Sequence, residues 1–260
     1  MTFREDALAD KHIVISGGAG AIGCGVVSAL TRHGASVTVN DVLDGDEALP
    51  KLEQAGAAMQ RVLYCPADLT QEEDVNHLVA EAHAQFGPLH VALCHAGMVA
   101  PGLLLDYSLE DWQRTQNVNV TAAFLLGRAA ARSMLADDVA GHLIFTTSWV
   151  ARTPWPEIGA YNASKAAMNQ LMRSLARELA QQGIRANAIA PGIVNAGMAR
   201  KQWDSDAEYQ ARARRAIPLG MLQPLEAVTD AFLFLCSDAA SYMTGSVLTV
   251  DGGCSLYPLD

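Results

Sequence analysis

Seven short apolar runs, separated by longer stretches of helical periodicity, constrain this sequence more than any other feature. The runs are His12–Ser16, Ser36–Asn40, Ala58–Cys65, Leu89–Cys94, His142–Ser148, Ile184–Ala190 and Val247–Val250. Between them, Leu109 to Leu135 carries apolar residues at helical spacing. Tyr161 to Gln182 sets Met168, Leu171, Met172, Leu175 and Leu179 on one side, and Pro224 to Leu235 does the same with Leu225, Val228, Ala231, Phe232 and Leu235. Strands that alternate with helices pair in parallel through right-handed crossovers. Several runs are continuously apolar, as strands covered on both faces require. No repeat, low-complexity tract or linker interrupts the pattern. The expected fold is α/β: a single doubly wound Rossmann-type domain over residues 1–260, with a seven-stranded parallel sheet and helices on both faces.

The balance of 18 Lys+Arg against 28 Asp+Glu gives a net charge of -10. That argues against a nucleic-acid or anionic-membrane surface. The one dense basic run, Arg212, Arg214 and Arg215, alternates with alanine and reads as a solvated helix face. Cys24, Cys65, Cys94, Cys236 and Cys254 are odd in number and widely spaced, so free thiols in a reducing compartment are expected. No His/Cys/Asp/Glu grouping has metal-ligand spacing. The first residues, MTFREDALADK, lack the apolar core of a signal peptide. No apolar run approaches the ~18 residues that cross a bilayer. A soluble, cytoplasmic protein is expected.

In doubly wound sheets, ligands bind beyond the carboxyl ends of the strands. After the first strand comes SGGAGAIGCG, where Gly18, Gly20 and Gly23 match G-x-G-x-x-G. Such glycines let the backbone turn tightly against a pyrophosphate, which then sits on a helix N-terminus. The second strand ends at Asp41, 18 residues after Gly23. A carboxylate there accepts from both hydroxyls of an adenosine ribose and repels a 2′-phosphate, which selects NAD over NADP. The competing reading is a turn or cap aspartate, because DVLDGDE is rich in them.

With these residues in view, the chain resembles the short-chain dehydrogenase/reductase family over nearly its whole length. Ser16-Gly17, Ala21 and Gly23 match the family's T-G-x-x-x-[AG]-x-G loop, with Ser for Thr. Asp68-Leu69 match the pair that meets the adenine, and Asn119 in NVNV matches the helix asparagine. Ser148, Tyr161 and Lys165 match the catalytic serine and Y-x-x-x-K, with the serine 13 residues before the tyrosine. Pro191-Gly192 and LTVDGG, Leu248 to Gly253, match the closing segments. The resemblance implies cofactor contacts from Gly17, Gly20, Ile22, Gly23, Asp41, Asp68, Leu69, Ala96, Gly97, Tyr161, Lys165, Pro191 and Val194. It implies Asn119, Ser148, Tyr161 and Lys165 as the catalytic set.

Residues four apart share a helix face, so Lys165 can lie beside Tyr161. A free tyrosine titrates near about 10 and transfers protons poorly at neutral pH. A nearby ammonium favours the phenolate, so a value well below that of free tyrosine is expected. Tyr161 would then be general acid in carbonyl reduction and general base in alcohol oxidation. Ser148 would hydrogen-bond the substrate oxygen. By resemblance, Lys165 also holds the nicotinamide ribose and Asn119 anchors a water that links the lysine to solvent.

The family's N-N-A-G is here Cys94-His95-Ala96-Gly97, so only backbone contacts carry over, and His95 reads first as a packed or hydrogen-bonded histidine. Where the family often has a threonine that contacts the nicotinamide amide, this chain has Ala196 after Asn195; either Asn195 substitutes or backbone near Val194 holds the amide. Met221 stands where many relatives have arginine. Trp149, Trp155 and Trp203 fall near the expected pocket, the last within a lid at about 193–220, and together suggest an apolar or ring-shaped alcohol or ketone. Arg152, Glu157, Arg200 and Lys201 keep a polar or acidic substrate open. The expected protein is an NAD-dependent alcohol dehydrogenase or carbonyl reductase, and by resemblance a homotetramer. The alternatives are a 3-ketoacyl thioester reductase of the same family, against which Asp41 argues, and a non-catalytic NAD-binding sensor, which would not need Ser148, Tyr161 and Lys165.

Overall fold

The computed structural model describes residues 3–256. β1 (His12–Ser16), β2 (Ser36–Asp41), β3 (Val62–Pro66), β4 (Val91–Cys94), β5 (His142–Thr146), β6 (Arg185–Pro191) and β7 (Val247–Val250) form one sheet. Its order is β3-β2-β1-β4-β5-β6-β7, and every neighbouring pair is parallel. The connecting helices are α1 (Ala21–Arg32), α2 (Gly45–Gln54), α3 (Glu72–Phe86), α4 (Leu109–Gln116), α5 (Ala122–Ala136), α6 (Gly159–Leu179), α7 (Gly197–Ser205), α8 (Ala207–Ala216) and α9 (Leu225–Cys236).

Successive strand residues face opposite sides, and both sides are covered here. Ile13, Ile15, Val91 and Leu93 enter one core with Val26 of α1, Leu52 of α2 and Phe232 of α9. Val14, Ala92 and Cys94 enter the other with Leu78 of α3, Leu126 of α5 and Met172 of α6. Two covered faces explain why the strands read as unbroken apolar runs. A third cluster sits past the sheet: Trp149, Trp155, Ile193, Tyr209, Ala213 and Ile217 pack beneath α7 and α8. The chain builds outward from β1 to β3, then returns to β4 on the other side of β1. The loops after β1 and β4 therefore diverge, and a crevice opens at the carboxyl ends.

Three expectations are corrected. The run at Ala58–Cys65 is a strand only from Val62, because Met59–Arg61 form a tight turn whose entry is tied by Ala58 N–H to Thr31 Oγ1 at 3.0 Å. The helical stretch from Leu109 to Leu135 is two helices joined by a π-turn at Asn117–Thr121. That wider turn accommodates a fully buried polar side chain, Asn119, and such turns concentrate at functional sites. β5 ends at Thr146, so Ser148 lies two residues past the strand and opens a short 3₁₀ turn.

Candidate active site

The crevice holds a cavity of about 1180 Å³ that runs from the first βα turn to the α7–α8 lid. At one end it is lined by Gly17, Gly20, Ile22, Asp41, Asp68 and Leu69. Ala96, Gly97, Ser148, Trp149, Trp155, Tyr161 and Val194 line the middle and the far end. Gly23, Asn119, Lys165 and Pro191 stand behind this surface, and Trp203 is absent from it. Trp203 instead packs against the cluster under the lid, with Arg214 over its ring at 5.3 Å.

The first end is built from main chain. Gly17 has φ +67, and a Cβ there would lie 2.8 Å from Ala96 Cα. A Cβ at Gly23 would overlap the Gly17 carbonyl oxygen and come within 2.8 Å of Gly18 Cα. Ser16 Oγ accepts from both His95 N–H and Ala96 N–H at 3.0 Å, which pins the β4 loop against the glycine turn. α1 follows Gly20 as its N-cap, with no side-chain cap and no acidic residue in its first turn. Its first N–H groups are thus free for an anion, as a pyrophosphate requires. Asp41 accepts from Ala19 N–H at 3.1 Å and Val42 N–H at 2.9 Å, one on each oxygen. Main chain thus engages each oxygen once, but a carboxylate has about four acceptor sites, so both oxygens keep capacity toward the cavity. These features fit a dinucleotide.

At the centre, Asn119 clasps the β4 loop. Its Oδ1 accepts from Met98 N–H at 2.8 Å, and its Nδ2 donates to Met98 O at 3.0 Å and Ser164 Oγ at 2.9 Å. The buried Lys165 donates to Thr146 O at 2.8 Å, and its ammonium lies 5.4 Å from the Tyr161 ring centroid. A Cβ on Gly97 would sit 3.3 Å from Lys165 Nζ and 3.4 Å from Asn119 Oδ1, so these three positions converge.

Burial dominates the titration of this centre. It pushes the Tyr161 phenol up to about 12, with the Ser148 hydroxyl opposing the shift. It pulls the Lys165 ammonium down to about 8. A tyrosine pKa well below that of free tyrosine is therefore not produced by the chain's own groups. His95 is held neutral, down to about 4, by desolvation and then by the facing Lys165. Its Nδ1 pairs with Thr146 Oγ1 at 3.0 Å and its ring meets Phe232 edge-on, while the residue also lines the cavity.

The far end is aromatic. Trp149 and Trp155 meet at 74° with centroids 5.5 Å apart, and Trp155 meets Tyr209 at 6.1 Å. Tyr209 and Arg212 also line the cavity, and sequence reasoning missed both. Arg212 is not on a solvated face. Tyr209, Ala213 and Ala216 form the buried stripe of α8, and Arg212 beside it lays its guanidinium 5.1 Å from the Trp155 centroid. The buried alanines of that stripe were the available signal. The Asn195 side chain turns toward Arg200, whose Nη1 donates to it at 3.1 Å, while Val194 and Ala196 face the cavity.

A family profile described as enoyl-(acyl carrier protein) reductase matches residues 17–255. The chain is 35% identical to 3beta-hydroxysteroid dehydrogenase 1 of Eggerthella lenta, over 97% of each protein. It is 34% identical to cis-4-hydroxycyclohexanecarboxylate dehydrogenase of Sinomonas cyclohexanicum, over 95% of this chain and 98% of that one. The crystal structure of a short-chain type dehydrogenase/reductase from Mycobacterium marinum superposes with a TM-score of 0.86 at 32% identity, over 96% and 97% of the two chains. The chain belongs to the short-chain dehydrogenase/reductase family. Dehydrogenases of this family use nicotinamide cofactors, which places the chain among oxidoreductases of small molecules. Among the described residues, no helix is long and apolar enough to cross a membrane, and no three or more His, Cys, Asp or Glu side chains group as metal ligands would.

Proposed function

We propose that this short-chain dehydrogenase/reductase interconverts a ring-borne secondary alcohol and its ketone with NAD(H). The carrying observation is that Ser148, Tyr161 and an aromatic wall line the same cavity as the glycine turn and Asp41. The nicotinamide, when bound, accepts or gives the hydride. Gly17, Gly20, Ile22 and the free N–H groups of α1 would hold its pyrophosphate, with Gly23 supporting the turn from behind. Asp41 would take the adenosine ribose, Asp68 and Leu69 the adenine, and Ala96, Gly97, Pro191 and Val194 the remainder. Lys165 would reach the second ribose.

Ser148 donates to the substrate oxygen and steadies its charge. Tyr161 takes the alcohol proton in oxidation and returns it in reduction. The Lys165 ammonium, 5.4 Å from the Tyr161 ring centroid, would favour the phenolate. Burial raises Tyr161 and the Ser148 hydroxyl opposes it; the positive charge an oxidised nicotinamide would bring acts in the same direction as Ser148. Asn119 keeps the loop and the lysine's surroundings fixed. Two of the chain's relatives are named for ring-borne hydroxyls, a hydroxysteroid and a hydroxycyclohexanecarboxylate, and the indoles of Trp149 and Trp155 suit a ring.

Steady-state oxidation of cyclic secondary alcohols with NAD and NADP tests this reading. We expect NAD to be preferred, with Asp41→Ala lessening that discrimination by about one to three kcal/mol, the scale of a charged hydrogen bond. Tyr161→Phe should cut turnover at least ~10²-fold while cofactor binding persists. NADP preference, or near-normal turnover in Tyr161→Phe, overturns it. The buried free cysteines support a reducing, cytoplasmic setting. Leu109, Trp112, Phe124 and Leu135 are exposed on α4 and α5, which supports a homotetramer with twofold axes; light scattering should report four copies.

A further inference from the structure

We propose that Arg212 is an anion-recognising, specificity-determining residue, so that the substrate is a ring-borne alcohol or ketone with a carboxylate at its far end. This rests on the reading of Ser148 and Tyr161 as the reacting end of the cavity. Three observations carry it. Arg212 lines the cavity and stacks on Trp155, which meets Trp149, the residue after Ser148. The cation thus lies two indole rings along the wall from the serine. Secondly, Arg212 Nε is buried with no hydrogen-bond partner, although buried donors are nearly always paired. Thirdly, Arg212 Nη2 is 3.6 Å from Glu157 Oε2, too long for a hydrogen bond. The Glu157 side chain is 56% exposed against 24% for Arg212, so the acid can swing away while the arginine stays.

Nε and Nη2 form one edge of the guanidinium fork, the edge that grips a carboxylate with two parallel bonds. A substrate carboxylate that displaced Glu157 would pair with Nη2 and, with that edge of the fork uncovered, with the orphaned Nε. A neutral apolar ligand would leave Nε without a partner. Two other arginines of the lid are engaged elsewhere: Arg200 binds Asp204 and Asn195, and Arg214 covers Trp203.

The test separates recognition from catalysis by using a probe with no hydroxyl. Quenching of tryptophan fluorescence would be titrated with cyclohexanecarboxylate and cyclohexanecarboxamide, on the full chain alone and with NAD added. Wild-type protein should bind the acid on the order of 10-fold more tightly than the amide, the worth of charge-assisted hydrogen bonds. Arg212→Met should bring that ratio toward unity, Arg212→Lys should keep part of it, and Glu157→Gln should raise it. Equal binding of the two probes, no binding of either, or a preference that survives Arg212→Met overturns the proposal. If Arg212→Met fails to fold by its thermal melt, Glu157→Gln decides, since an unchanged or smaller ratio there also overturns it. Turnover of 4-hydroxycyclohexanecarboxylate against its amide is measured separately. Oxidation of neither sinks the dehydrogenase reading while the binding ratios still judge Arg212.

Discussion

The two ends of the crevice are built from different materials. The glycine-turn end is main chain held against main chain: Gly17 against Ala96, Gly23 against Gly17 and Gly18, and two N–H groups on one serine hydroxyl. The lid end is side chain against side chain, contributed by the loop after β5 and by α8: Trp149, Trp155, Tyr209 and Arg212. A site made of backbone demands particular residues, because only glycine fits where a Cβ has no room. A site made of side chains can be assembled from many residue types. The first end therefore tolerates few residue types, and the second leaves its residues free to vary.

Gly23→Ala should break this contrast if it is wrong. Its Cβ would overlap the Gly17 carbonyl and press on Gly18, both of them backbone and unable to rotate away. We expect a loss of stability upward of about 3 kcal/mol, the upper range for overpacking. We also expect cofactor affinity to fall, because the turn that would hold the pyrophosphate is displaced. A thermal melt and a cofactor titration check both. A folded variant with normal affinity would mean that the turn is not built as tightly as the backbone contacts require.

The same contrast decides what could be read from the sequence. The sheet, its helices on both faces and the glycine turn were legible because burial on both faces of the strands and Cβ exclusion leave fixed residue types behind. Asp41 was legible as an acid at the end of β2, but its engagement with Ala19 N–H depends on the three-dimensional turn. The break at Asn117–Thr121 was not legible, since a π-turn keeps helical periodicity on both sides and shifts it by one residue. Trp203 and Arg212 were misplaced for one reason. Both sit on short lid helices whose packing face is set by a cluster past the sheet, and alanine-rich α8 gives a faint apolar stripe.

Lys165 stands where the two ends meet, and its cost can be measured. Burial lowers its ammonium from the ordinary 10.5 to about 8. A folded-state value below the unfolded one means that the folded chain binds fewer protons between pH 8 and 10.5. The penalty of the buried charge is therefore full below pH 8 and fades as pH rises through that window. Lys165→Met should abolish activity yet melt higher than wild type at pH 7, by up to about 3 kcal/mol from the pKa difference, less what the lost bond to Thr146 O contributes. The gap should narrow at pH 10. A variant that melts lower at pH 7, with no pH-dependent gap, would show the lysine to be a net structural support.

His95 offers the smallest effect and the finest cut. It occupies the β4 loop that both ends share, and it replaces the asparagine usual in the family. Desolvation, then the facing Lys165, lowers it from 6.5 to about 4. The folded chain resists protonation there while the unfolded chain accepts it, so stability is lost as pH falls from 6.5 toward 4. His142, lowered to about 3 mainly by desolvation and then by Arg185, adds to the same acid lability from inside the sheet. His95→Asn should remove only the loop's share, about 2 kcal/mol of the loss between pH 8 and pH 5 for a shift of this size. Melting temperatures of wild type and variant at the two pH values check it. The curves should separate at pH 8 by whatever Asn gains or loses against Thr146 Oγ1, and that separation should shift in the variant's favour at pH 5. Parallel curves would mean that water reaches the ring and that the loop is solvated rather than packed. The main-chain half of the site would then extend less far into the crevice than its contacts with Ser16 imply.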